Sequence, residues 1–182
     1  NNSWALEPRA GIKWQFSPKS SFALAYGLHS RMEKMDVYFV KTQGTGDRSV
    51  NKDLGFTRAH HVMLSYRFKV SDNMNMKIEP YFQQLYDVPV IADSSYSVLN
   101  RRDFYVENAL VNRGKGRNIG VDITLERYLN KGLYYMVTAS IFDSKYYGGD
   151  RKWRNTLYNR NFIINVLGGK EWMVGRDKQN MF

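Results

Sequence analysis

The chain has no cysteine. That excludes disulfides, thiolate metal sites and cysteine nucleophiles. It also has no long apolar run: nothing approaches the roughly 18 residues that mark a membrane helix, and mean hydropathy is −0.54. A helical membrane protein is thereby excluded. A membrane β-barrel is not, because its strands are only half apolar. No catalytic constellation is present either. Gly114-Lys115-Gly116-Arg117 is glycine-rich and basic but lacks the G-x-x-x-x-G-K-[ST] frame of a phosphate loop. The carboxylates Glu7, Glu79, Asp122 and Glu126 interleave with Arg9, Lys13, Arg67 and Lys77 on strand-like stretches. Ion pairs along a wet face explain them better than acid–base catalysis, so neither enzyme activity nor a cofactor is expected. No signal peptide is visible, and both ends read as cuts through something larger.

What is present is aromatic and basic. Tyr, Phe and Trp make up 15% of the 182 residues, a content that suits barrels with aromatic girdles as well as Tyr-rich sandwiches. The formal net charge is +10. Such a balance points to nucleic acid, to an anionic membrane surface, or to a solvated basic surface. Here charges of both signs share the polar positions, which argues against a nucleic-acid partner.

Alternation supplies the architecture. Between Gly120 and Phe142, Val121, Ile123 and Leu125 share a face with Ile119, while Leu133, Tyr135, Val137, Ala139 and Ile141 share another. Period-two patterning of this kind marks strands with one apolar and one polar side. Placing the turn at Leu129-Asn130-Lys131 predicts the pairs Leu125–Tyr135, Ile123–Val137, Val121–Ala139 and Ile119–Ile141, with all apolar residues on one side. The same alternation runs through Leu6–Phe16, Phe22–His29, His61–Val70, Met76–Gln83 and Phe162–Val166. Pro8 marks a bulge or a position beyond the paired region, and the parity slip near Gln84 predicts a bulge.

Connections alternate short and long. The short ones are Ser17–Ser20, Ser71–Asn75, the hairpin turn and Gly175–Gln179; the long ones cover about Ser30–Ala59, Tyr86–Lys115 and Asp143–Asn159. Within the first long connection, Val37-Tyr38-Phe39-Val40 is either a strand extension or a piece folded into the loop. In a meander, every short turn then lies on one rim and every long loop on the other, as in outer-membrane barrels. Strands of about 9–11 residues match a tilted crossing. The expected fold is all-β: an antiparallel up-and-down meander of about seven strands, with its apolar face toward lipid.

Few residues suggest a site. His29 and His61 have the same polar-face parity and come near each other if their strands pair, which makes them weak metal candidates. Tyr96, Arg101, Arg102, Tyr105, Arg113, Tyr147 and Trp153 are ligand candidates read as belonging to the long loops. The loop cations are suited to anionic lipopolysaccharide or an anionic substrate.

Beyond pattern, the segments LEPRAGIKWQFSPKSSFALAYGLHS, NKDLGFTRAHHVMLSY, KIEPYFQQLYDVPV, NRGKGRNIGVDITLERYLNKGLYYMVTASIFDSKY, WRNTLYN and NVLGGKEW resemble TonB-dependent outer-membrane receptors of the Bacteroidetes type. The likeness is nearest to those with a carboxypeptidase-regulatory-like N-terminal domain, and it runs in order along nearly the whole chain. It implies a transmembrane barrel of about 22 strands with a plugged lumen. Residues 1–182 would form part of that barrel, in the bacterial outer membrane. The plug, the TonB-contacting segment and the remaining strands would lie outside this chain, and the function would be energy-coupled import of a nutrient. The alternative from the residues alone is a soluble β-rich ligand-binding module that buries the same apolar face.

Overall fold

The computed structural model describes residues 4–41, 49–101, 106–174 and 180–181. Arg102, Tyr105 and the expected turn at Gly175–Gln179 lie outside the described residues. The strands are β1 (Arg9–Ser17), β2 (Ser20–Arg31), β3 (Thr57–Ser71), β4 (Met74–Val90), β5 (Val111–Asn130), β6 (Leu133–Tyr147), β7 (Trp153–Asn155) and β8 (Phe162–Lys170), followed by the two-residue pair β9 (Met173–Val174) and β10 (Asn180–Met181). Strands β1 to β8 form one antiparallel sheet in which sequence neighbours pair in order, up to β6. The strands β7 and β8 both pair with β6, β7 at Lys145–Tyr147 and β8 at Leu133–Ile141. They are two pieces of one ladder line, so the expected seven lines contain eight strands. The sheet is open: among the described residues β1 and the β7–β8 line each keep one unpaired edge.

Turn length follows the expected asymmetry. Pro18-Lys19, Asp72-Asn73 and Lys131-Gly132 close the hairpins at one rim. The described parts of segments 32–56 and 91–110, and the stretch carrying β7, lie at the other. Lys131 and Gly132 have φ of 51° and 74°. Two consecutive left-handed residues make the primed two-residue turn that matches strand twist.

The apolar face is one surface and it is open. Val121, Ile123 and Leu125 stand opposite Ile141, Ala139 and Val137, which in turn face Phe162, Ile164 and Val166. On the other side of β5, Ile119, Ile123 and Leu125 stand opposite Phe82, Ile78 and Met76. Ile12, Trp14, Leu24, Leu64 and Phe82 extend the face to β1. Ile141 is 62% exposed and Val166 73%. The buried apolar cluster lies elsewhere, among the long connections: Val37, Val40, Leu54, Val106 and Leu110. Large aliphatic side chains therefore face outward along the strands, while the packed core sits at one end.

Several expectations are corrected. The hairpin register differs by two residues, with Val121 opposite Ile141 rather than Ala139 and Ile119 opposite Asp143. A two-residue slip keeps every side chain on its face. What fixed the slip is Lys131-Gly132, together with an irregularity between Arg127 and Asn130. The strands β2 to β6 are longer than the expected crossing, β5 reaching 20 residues. The ladder therefore continues past the apolar belt, and Arg113, Tyr147 and Trp153 lie on strands rather than in loops. The bulge expected near Gln84 is present: β4 breaks register between Leu85 and Pro89, around Asp87 at φ 55°. Val37-Tyr38 belongs to a one-turn helix, α1 (Met35–Tyr38), folded into the loop. Pro8 precedes β1 and accepts a bond from the Leu28 amide.

Candidate functional site

The polar face of β3 to β6 is a bonded wall. Lys77 Nζ lies 2.7 Å from Glu79 Oε2, and the Ser65 hydroxyl donates to Glu79 Oε1 at 2.9 Å. Asn118 Nδ2 donates to Gln83 Oε1 at 2.7 Å, Ser144 Oγ to Asn118 Oδ1 at 2.6 Å, and Thr156 Oγ1 to Ser144 Oγ at 3.0 Å. Glu79 and Asp122 stand directly opposite each other. Like charges so placed repel, and Lys77 offsets one of them. Tyr81 lies across Gly120, where a Cβ would come within 2.6 Å of its hydroxyl. A shallow hollow of about 430 Å³ opens on this wall, with His61, Met63, Tyr81, Phe142 and Tyr158 along it. The wall offers ordered donors and acceptors with a few aromatic rings, a surface for polar contact rather than for covalent chemistry.

Above the wall the long connections dock onto one another. Asn51 is 1% exposed. Its Nδ2 donates to the carbonyls of Val37 and Asn108, each at 3.0 Å, and its Oδ1 accepts the Leu110 amide at 2.8 Å. All of its capacity toward the backbone is thus used inside an apolar cluster, which is the condition for burying an amide. Arg101 pairs with Asp36 across the same two connections at 2.9 Å. The Arg101 guanidinium holds the Asp36 carboxyl below its usual range. Asn112 bonds the Gly55 amide and the Asp87 carbonyl, tying the cap to β5. The third long connection joins through Leu157 N to Asn100 Oδ1 at 2.7 Å and Asp150 N to the Ser94 carbonyl at 3.0 Å. Arg154 grips both oxygens of Asp150, whose pKa is held low by that bond.

The residues singled out from the sequence do not converge. His29 and His61 share the polar face with ring centroids 6.3 Å apart, the His29 ring folded over Gly27. Among the described residues no group of three or more His, Cys, Asp or Glu is placed to hold a metal ion. Tyr96 packs against the cap's apolar cluster, and Arg101 is engaged with Asp36. Arg113 and Tyr147 line a separate hollow on the apolar-face side, and Trp153 packs beside Tyr147 at 5.4 Å. Sequence reading missed Asn51 and Asn112. In a stretch rich in Asn, Asp and Gly nothing distinguishes a buried amide from a turn residue; the only signal nearby was the apolar run from Val37 to Val40.

Comparison with solved structures then decides the architecture. The ferric-catecholate import receptor Fiu from K12 E. coli, in its closed form, aligns over 92% of this chain with a TM-score of 0.62 at 9% identity. The fold is that of a section of a TonB-dependent receptor barrel. The FrpB iron transporter from Neisseria meningitidis (F3-3 variant) aligns over 81% with a TM-score of 0.56 at 15% identity. The chain spans 22% and 21% of those two proteins. No family model and no curated protein matches it.

Proposed function

We propose that this chain is part of the barrel wall of an outer-membrane TonB-dependent receptor that imports a nutrient with energy coupling. The observation that carries the reading is the position of the apolar surface: it lies open along every long strand while the opposite face holds the bonded polar wall. In water such a face would be covered by a second layer. In a bilayer it is the lipid contact, and the polar wall faces a wet lumen. The unpaired edges at β1 and β7–β8 call for further strands, which the rest of the barrel supplies; a plug and the segment that contacts TonB also lie beyond residues 1–182. The likeness of the segments quoted above supports a receptor of the Bacteroidetes type with a carboxypeptidase-regulatory-like N-terminal domain. The short turns then face the periplasm, and the docked cap faces the exterior, where it shapes the entrance above the lumen. Of the loop candidates, Tyr96 and Arg101 belong to that entrance.

The absence of cysteine from this chain makes a direct test simple. In intact cells carrying the full receptor, Lys152→Cys should react with a membrane-impermeant maleimide. Asn73→Cys should react only after the outer membrane is opened. Equal labelling of both in intact cells, or recovery of the protein in the soluble fraction, contradicts the proposal.

A further inference from the structure

We propose that the apolar-face side of β5 to β7, just beyond the belt, seats the phosphate groups of an anionic membrane lipid. The inference rests on the barrel reading above. Along β5 the outward residues run Leu125, Ile123, Val121, Ile119 and then Arg117, Lys115, Arg113. Along β6 they run Val137, Ala139, Ile141 and then Asp143, Lys145, Tyr147. Because Arg117 stands opposite Lys145 and Lys115 opposite Tyr147, the change from aliphatic to cationic comes at the same height on both strands. Each step along one face is about 7 Å, so the cations occupy the headgroup depth just above the belt.

The shelf has a built form. Asp143 lies 3.9 Å from Arg117 and 3.2 Å from Lys145, holding the two cations as a spaced pair. The Arg117 guanidinium sits 5.6 Å from the Trp153 ring, and Lys115 Nζ 5.9 Å from the Tyr147 ring. Arg113, Lys115 and Arg151 form no ion pair among the described residues, and they line a hollow of about 310 Å³ with Tyr147 and Gly148. Asp93 is the carboxylate on that hollow, so the shelf remains net positive. At the other end of the same face, rings of Trp14, Phe16, Phe22, Tyr66 and Phe68 pack edge by edge. The cations there are dispersed: Arg127 on β5, and Lys170 on β8, bound to the Lys131 carbonyl.

Continuity with the belt selects a lipid over a soluble anion. A lipid lays its chains on Ile119, Ile141 and Phe162 while its phosphates reach the shelf; a free phosphate gains only the second contact. Cation-rich segments at a membrane surface attract anionic headgroups in the same way.

The test uses the full receptor in phosphatidylcholine nanodiscs with and without lipid A, a bis-phosphorylated glycolipid, and counts retained lipid by native mass spectrometry. Wild type should retain lipid A in preference to phosphatidylcholine. The triple variant Lys115→Gln, Arg117→Gln, Lys145→Gln should lose at least about tenfold of that preference, with the mild variant Lys115→Gln intermediate and Lys152→Gln unchanged. Equal retention by wild type and triple variant overturns the inference, as does displacement of lipid A by an equal concentration of soluble pyrophosphate. Failure to enter lipid-A-free nanodiscs would instead count against the barrel reading itself.

Discussion

The amide of Leu110 donates to the side-chain oxygen of Asn51 at 2.8 Å, across 59 residues of sequence. That bond and the one from Asn51 Nδ2 to the Asn108 carbonyl join the first and second long connections into one cap, while the Nδ2 bond to the Val37 carbonyl closes the first on itself. Replacing Asn51 with Leu should leave two carbonyls and one amide without partners. Loop docking should weaken by about 2–3 kcal/mol, read as faster hydrogen exchange at Leu110 while exchange in β5 and β6 stays slow. Asn51→Asp should not rescue it, because a carboxylate presents no donor to the Val37 and Asn108 carbonyls.

How much of this was legible in the sequence differs by element. Which face each residue takes was legible, because alternation is local and a slip of one residue would turn every aliphatic side chain over. The hairpin register was not, because a slip of two residues preserves the pattern; the left-handed pair Lys131-Gly132 and the irregularity between Arg127 and Asn130 decide it together. The cap was hidden for another reason. It is held by side-chain amides such as Asn51 and Asn112, by ion pairs such as Arg101–Asp36 and by a handful of valines and leucines far apart in sequence, and none of these has a period. The polar wall was legible as polar, but the particular bonds, such as Asn118 to Gln83, follow from register and so required the structure.

The cap's apolar cluster gives a second expectation. Leu54 packs with Val37, Val40, Val106 and Leu110. Leu54→Ala should lower cap stability by about 2–3 kcal/mol through lost burial and a residual cavity. Limited proteolysis within residues 32–56 reads this out, while the sheet should remain protected.

Acidification should loosen the same cap. The Asp36 pKa lies below its ordinary value of 3.8, lowered chiefly by the hydrogen bond from Arg101. A depressed carboxyl contributes docking stability above its unfolded pKa and loses it as pH falls through the folded one. Exchange at cap amides should therefore be insensitive to Asp36 at neutral pH and accelerate below about pH 4. Arg101→Gln should largely flatten this acid response, because the main cause of the depressed pKa is then gone, and a titration of cap exchange in the two proteins reads the difference.

The turn at Lys131-Gly132 should respond in opposite directions to two substitutions. Lys131→Asn creates the Asn-Gly pair favoured where both residues are left-handed, and should stabilise the hairpin by a few tenths of a kcal/mol. Gly132→Ala should destabilise it by about 1 kcal/mol or more, because φ is 74° and the new Cβ meets the Glu171 carbonyl. Heat-induced unfolding in detergent ranks the three proteins.

The central claim is that Ile123, Val137, Ile141 and Ile164 face lipid while Asp122, Thr138 and Ser140 face water. Single cysteines at these positions, spin-labelled in the full protein reconstituted into bilayers, give the most direct measurement. Oxygen, which partitions into lipid, should relax the odd positions of β5 and β6, and Ile164 of β8, most strongly. A water-soluble nickel chelate should relax the alternate positions. A two-residue oscillation of opposite phase in the two quenchers is the predicted result. Uniform protection of Ile123, Val137, Ile141 and Ile164 from both quenchers would place them in a closed protein core and contradict the account.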